Sequence, residues 1–226
     1  MKAVIFDIDD TLISERMFME SGYREISKAA ADKLSDGWRS IYEKLLELSE
    51  ESPKYIINRL FDSYGIRYDE NDIGELIRIY REHEPELEFY SDVLPAIGLL
   101  KNKGIRTGII SDGYPVMQHN KLKACRGEQY FDKIIITNEL GGSEYNKPDM
   151  RSYDIMAEAL QVSCAEMLYV GDNPEKDFLI SKSRPVKTAR IIRPRGIYAG
   201  REYREGIRET YRIKDLKETA GQVHLK

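Results

Sequence analysis

Cysteine is scarce in this chain, with two residues in 226, Cys125 and Cys164, far apart and without the close pairing of a zinc knuckle. That argues against a disulfide-stapled fold and leaves two structural thiols in a reduced compartment, so a cytoplasmic protein is expected. Histidine is scarce as well. His83, His119 and His224 have no carboxylate or cysteine at ligand spacing along the sequence, so no role is assigned to them. No apolar run reaches the length needed to span a bilayer, and the first strand begins at Lys2, leaving no room for a signal peptide. Strong charge of either sign is missing too. A net charge of -4 gives no general attraction to nucleic acid or anionic lipid, so an anionic substrate must be held locally. Internal repeats and low-complexity tracts are absent. What remains is a chain that is 41% hydrophobic and 33% charged, long enough to bury a sizeable core. A soluble monomer or small homo-oligomer is expected.

The informative stretch is the opening, Val4-Ile5-Phe6-Asp7-Ile8-Asp9-Asp10-Thr11-Leu12. Val4, Ile5 and Phe6 read as a strand buried on both faces, which places Asp7 at its carboxyl end, the edge where open α/β sheets bind ligands. Two acids two positions apart supply one group to attack or hold a cation and another to move a proton. An ordinary polar turn after an edge strand is the competing reading, because aspartate is common in turns.

After Leu12 the pattern stays helical for about 75 residues, which suits a small helical module better than a single crossover. Ile41, Leu45 and Leu48 recur at helical spacing, and Ser52-Pro53 predicts a helix start ahead of Ile56, Ile57, Leu60, Phe61 and Tyr64. Ile73, Leu76, Ile77 and Tyr80 form an amphipathic stripe closed by Pro85. From Asp92 strands and helices alternate. Predicted strands end at Ser111-Asp112-Gly113, near Thr137 ahead of the loop that reaches Lys147-Pro148, and at Gly171-Asp172, and a last strand covers Lys187 to Ile192. Such alternation predicts a parallel, doubly wound α/β sheet, with Asp7, Ser111, Lys147 and Asp172 converging on one edge.

These residues resemble the haloacid dehalogenase-like hydrolases, whose pattern is Asp-x-Asp-x-Thr, a strand-end Ser or Thr, Lys-Pro, and Gly-Asp followed by a further Asp. They stand here as Asp7 to Thr11, Ser111, Lys147-Pro148, and Gly171-Asp172 to Asp177, in the family's order. The resemblance implies a Rossmann-like core over residues 1–14 and 88–226, with a helical cap over 15–87. It implies Asp7 as nucleophile and Asp9 as acid and base, an acid that the dehalogenating branch lacks. The implied activity is therefore hydrolysis of a small phosphorylated metabolite through an aspartyl-phosphate. Ser111, Asp112, Gly113 and Lys147 would bind the phosphoryl group. Mg²⁺ would be held by Asp7, Asp172 and Asp177 and the carbonyl of Asp9, since like charges so crowded call for a cation. Phosphoryl transfer to a sugar hydroxyl uses the same groups and stays open, as does a non-catalytic phospho-ligand binding or signalling protein.

Some positions depart from the family pattern. Ile180, Ser181 and Pro185 stand where small residues are usual, predicting a helix after Asp177 that stops at proline. Asp112 stands where Asn is frequent, so its carboxylate is expected to point away from phosphate. Arg190, Arg193, Arg195 and Arg201, interleaved with or followed by Glu202, Glu205 and Glu209, read as a solvated surface.

Overall fold

A computed structural model describes residues 1–222. The chain forms two compact units, one from Met1–Arg16 with Leu87–Lys226 and one from Met17–Glu86.

The first unit is built on a six-stranded sheet: β1 (Ala3–Phe6), β2 (Arg106–Ser111), β3 (Lys133–Ile136), β4 (Met167–Gly171), β5 (Lys187–Ile191) and β6 (Tyr211–Ile213). The order is β3-β2-β1-β4-β5-β6, with every neighbouring pair parallel. Every residue of β1 and β4 is buried, which is why these central strands read as unbroken apolar runs. The strand order reverses between β1 and β4, so the crevice beyond their carboxyl ends is the expected ligand site. Asp7 and Asp172 are the residues that leave those two strands.

Gly108 shows how closely a helix comes down on this sheet. A Cβ there would lie 2.7 Å from Met156 Sδ on the helix Arg151–Leu160, so a larger residue would push that helix away from β2. Tyr153 and Met156 of the same helix pack with Ile5, Ile110 and Tyr169 in the core.

Among the described residues the second unit contains most of α1 (Glu15–Leu34), and α2 (Trp38–Glu51), α3 (Ile56–Ser63) and α4 (Glu70–Glu82). Its core takes Ile41 and Leu45 from α2, Leu60 and Phe61 from α3, and Leu76 from α4, the stripes legible at helical spacing. Asp69 caps α4 and exchanges bonds with Asp72 in a capping box.

Three expectations need correction. Ser52 closes α2 instead of opening α3: its N–H donates to Leu48 O, and the next helix starts at Ile56, after Tyr55 turns left-handed at φ 53°. Among the described residues, no α-helix starts directly after Asp177. A single 3-10 turn, Leu179–Lys182, takes its place, and buried Phe178, Leu179 and Ile180 serve the core from it. The basic tail is not merely a solvated surface, because Arg190 and Arg193 are buried and the segment adds the edge strand β6. Arg195 and Arg201 are exposed as expected.

Candidate active site

Asp7 takes over directly from β1: its N–H still donates to Val170 O of β4, while its side chain enters the crevice at 5% exposure. The chain then turns tightly, Leu12 N–H closing back on Ile8 O at 2.8 Å. Asp10 sits in this turn at φ 47°, a left-handed conformation that aspartate tolerates better than most residues.

Asp7, Asp9, Ser111, Asp112 and Asp172 line a single cavity of about 160 Å³. Lys147 and Asp177 are buried behind that lining. Lys147 Nζ lies 2.9 Å from Asp7 Oδ1 and 3.2 Å from Asp177 Oδ1, and donates to the Tyr169 hydroxyl at 2.6 Å. Burial works against the lysine charge, but Asp177, Asp7 and Asp112 outweigh it and hold the pKa above the ordinary lysine range. Burial also dominates at Asp7, whose carboxyl is pushed up to about 6 despite Lys147. At Asp172, burial and then the charges of Asp177 and Asp7 push the pKa to about 9.

That last shift marks a place where negative charge is under-compensated. Asp7, Asp172 and Asp177 each offer a carboxylate oxygen within 4.8 Å of the others. Asp172 Oδ2 is buried without a hydrogen-bond partner among the described residues. A buried carboxylate in like-charged company is costly, and oxygen-only donors suit a hard divalent cation, so the cluster can hold one. Asp177 has a second task. Its Oδ2 accepts from Asn173 N–H at 2.9 Å and its Oδ1 meets Lys147 and Tyr169, so it also fixes the loop carrying Asp172. A Cβ at Gly171 would fall on this carboxylate.

Ser111 ends β2 with its hydroxyl buried and unpartnered among the described residues, a donor ready for an anionic oxygen. Asp112 lines the cavity with both carboxylate oxygens already engaged. Its Oδ1 accepts from Thr137 Oγ1 and Lys147 N–H, and its Oδ2 from Lys176 Nζ at 2.7 Å. Burial opposes this charge, but Lys147 and Lys176 hold its pKa below the usual range. Gly113, at φ 125°, lets Gln118 approach: a Cβ there would stand 2.8 Å from Gln118 Nε2.

Asp9 is separate from the acidic cluster. Its Oδ1 accepts from buried Lys121 at 2.6 Å and its Oδ2 from Gln118 Nε2 at 3.2 Å, both on the helix Pro115–Ala124. Lys121, Gln118, Glu15, Lys176 and Tyr198 all line the cavity, and none was anticipated from sequence. Lys176 stood one residue before Asp177 in the motif and could have been flagged by that position alone. Burial and the nearby Asp9 charge push Glu15 up to about 8. His119, outside the cavity lining, does gain carboxylate company through folding, with Nε2 2.7 Å from Glu139.

The family model for haloacid dehalogenase-like hydrolases matches residues 4–191. The chain belongs to that family. It is therefore an enzyme of the hydrolase type. Among curated proteins it is 32% identical over 196 residues to a Clostridium perfringens protein provisionally named pyrophosphatase PpaX, covering 84% of each chain. It is 29% identical over 200 residues to a glyceraldehyde 3-phosphate phosphatase of Methanopyrus kandleri, covering 85% of this chain and 84% of that one. Among solved structures, a haloacid dehalogenase-like phosphatase from Thermococcus onnurineus superposes with a TM-score of 0.65 at 25% identity, over 99% of this chain and 98% of the other. The hydrolase core is thus common to the matched sequences and the matched fold. Among the described residues, no helix of this family member is long and apolar enough to cross a membrane.

Proposed function

We propose that the protein is a Mg²⁺-dependent phosphatase that hydrolyses a small phosphomonoester through an aspartyl-phosphate on Asp7. The observation that carries the reading is the presence in one cavity lining of two carboxylates in different surroundings. Asp7 is gripped by Lys147 at 2.9 Å, while Asp9, two residues on, is held at both oxygens by Lys121 and Gln118. Different environments are what separate a nucleophile from an acid and base.

In this mechanism an Asp7 oxygen attacks phosphorus as the bond to the leaving oxygen breaks. Asp9 delivers a proton to that oxygen, releasing an alcohol. Water then attacks the phosphorus of the acyl phosphate, Asp9 takes its proton, and Asp7 departs as a carboxylate with inorganic phosphate as the second product. Ser111 Oγ–H donates to the phosphoryl oxygens, and Lys147 beside Asp7 supplies a positive charge behind them, where negative charge accumulates during transfer. Asp7, Asp172 and Asp177, with the Asp9 carbonyl, would hold Mg²⁺, which when bound neutralises part of the charge of the phosphoryl group. The matched phosphatases support this reading, as does an acid at Asp9.

The test is phosphate release from a panel of phosphomonoesters with Mg²⁺ and no acceptor sugar, alongside acid-quench trapping of labelled phosphate on the protein. Release and trapping that both vanish in Asp7→Asn are expected. Turnover with no trapped phosphate would remove the covalent step, and release only in the presence of an acceptor sugar would make the protein a phosphotransferase.

A further inference from the structure

Two residues of the cavity lining, Gln118 and Tyr198, carry polar atoms that the phosphoryl chemistry does not use. Gln118 is 1% exposed and spends its amide nitrogen twice, donating to Asp9 Oδ2 at 3.2 Å and to the Asp112 carbonyl at 2.8 Å. Two acceptors on one side assign that atom as nitrogen, so the other side-chain atom is the carbonyl oxygen. That oxygen, Oε1, is buried and has no partner among the described residues. A buried acceptor left without a donor costs stability, and because Gln118 is a residue of the cavity lining, a ligand bound there can bring the donor.

Across the chain, Tyr198 reaches the same cavity from the segment after β5. This segment is strapped onto the catalytic turn. Asp10 Oδ2 accepts from Ile197 N–H at 2.8 Å while its Oδ1 accepts from Glu15 N–H at 3.1 Å, tying the strap and the start of α1 to one buried carboxylate. Arg193 donates twice to Thr11 O, at 3.2 and 2.7 Å, and pairs with Asp92 at 2.9 Å. Arg190 donates to the Tyr198 carbonyl at 2.9 Å. A loop so tied presents its phenol in a fixed place, as a specificity wall requires.

We infer that Gln118 and Tyr198 form a leaving-group subsite that selects a phosphate ester of a hydroxylated alcohol, with a substrate hydroxyl donating to Gln118 Oε1 and the Tyr198 phenol bonding the same or a neighbouring hydroxyl. The inference rests on the phosphatase reading and names the substrate class for it. An alkyl leaving group would fill the space and still leave Oε1 without a donor, and sites built to bond a hydroxyl reject the analogue that lacks it. Asp10 and Arg193 are positioning residues in this arrangement.

The experiment compares kcat/KM for glycerol 1-phosphate and n-propyl phosphate, esters of similar size that differ in hydroxyls, with p-nitrophenyl phosphate as an activated ester. The wild type prefers the glycerol ester. The preference falls about three- to tenfold in Gln118→Met or in Tyr198→Phe, the effect of losing one hydrogen bond. Gln118→Met also removes a contact to Asp9 and lowers turnover of every ester, so the readout is the ratio between the two esters. Tyr198→Phe keeps the ring and its packing, so it provides the reading if Gln118→Met does not fold. A fall in either variant supports the subsite. No preference in a wild type that turns over p-nitrophenyl phosphate, or a ratio unchanged in both variants, overturns it while leaving the phosphatase reading intact. A wild type that releases phosphate from none of the three esters overturns that reading and this subsite with it.

Discussion

Asp7 gains its position from β1 and its partner from Lys147, which is itself shared with Asp177 and the Tyr169 hydroxyl. Asp7→Asn keeps the shape but substitutes a poor nucleophile, so turnover should drop to about a thousandth or less with folding retained. Steady-state phosphate release measures this, and a residual rate of a tenth or more would sink the assignment. Asp9→Asn should behave differently. Loss of the proton donor should slow alkyl esters more than p-nitrophenyl phosphate, whose leaving group departs without protonation. Equal loss on both kinds of ester would leave Asp9 a structural role only. Asp7, Ser111 and Asp172 were legible because they stand at strand ends, which share an edge in a parallel sheet, whereas Lys147 reaches that edge from the loop after β3. Lys121 and Gln118 were not legible, because they reach Asp9 across 112 and 109 positions of sequence and look like ordinary polar residues of a helix. A residue's partner at that distance depends on packing, which periodicity does not encode.

At the scale of elements, the parallel sheet and the helical stripes follow from apolar patterning, whereas the segment after β5 was misread for a physical reason. Interleaved Arg and Glu are the composition of a solvated surface, and β6 is only Tyr211–Ile213, too short to show alternation. Burial of Arg193 comes from its fork geometry: it bonds Thr11 O with two nitrogens, pairs with Asp92 and lies 4.2 Å over the Tyr90 ring. Asp92 Oδ2 also accepts from Leu216 N–H at 2.9 Å, so the arginine links the turn after β1 with the segment at Leu216. Arg193→Ala removes one member of a buried pair and should cost about 3–5 kcal/mol. Arg201→Ala, at an exposed position, should stay within about 0.5 kcal/mol of wild type. Equilibrium urea unfolding of the two variants decides the point. Equal midpoints would mean that the strap is not anchored through Arg193.

For the molecule as a whole, the acidic cluster links pH, cation and stability. Asp7 and Asp172 have folded-state pKa values raised to about 6 and about 9, and Glu15 to about 8, all above the ordinary carboxylate values of 3.8 and 4.5. For a raised carboxyl, the folded state binds more protons than the unfolded state between the two values. Stability is then fully present below pH 4 and lost as pH rises towards the folded pKa. Acids with lowered values, such as Asp112 and Asp132, give the opposite slope below pH 4 and so leave the window above it undisturbed. In EDTA the melting temperature should therefore decline from about pH 5 to about pH 9. Mg²⁺ competes with protons for the same oxygens, so its effect should be small at pH 5 and grow with pH. At a hundred times the dissociation constant the gain is about 2.7 kcal/mol, or about 5–10 °C for a chain of this size. Asp172→Asn removes the group with the highest shift. It should flatten the decline in EDTA, raise the metal-free melting temperature at pH 8, and abolish most of the Mg²⁺ response together with turnover. Melts of both proteins at pH 5 and pH 8, with EDTA or Mg²⁺, measure all of these effects. An Asp172→Asn protein that melts lower than wild type in EDTA at pH 8 and still responds fully to Mg²⁺ would show that the cation binds elsewhere.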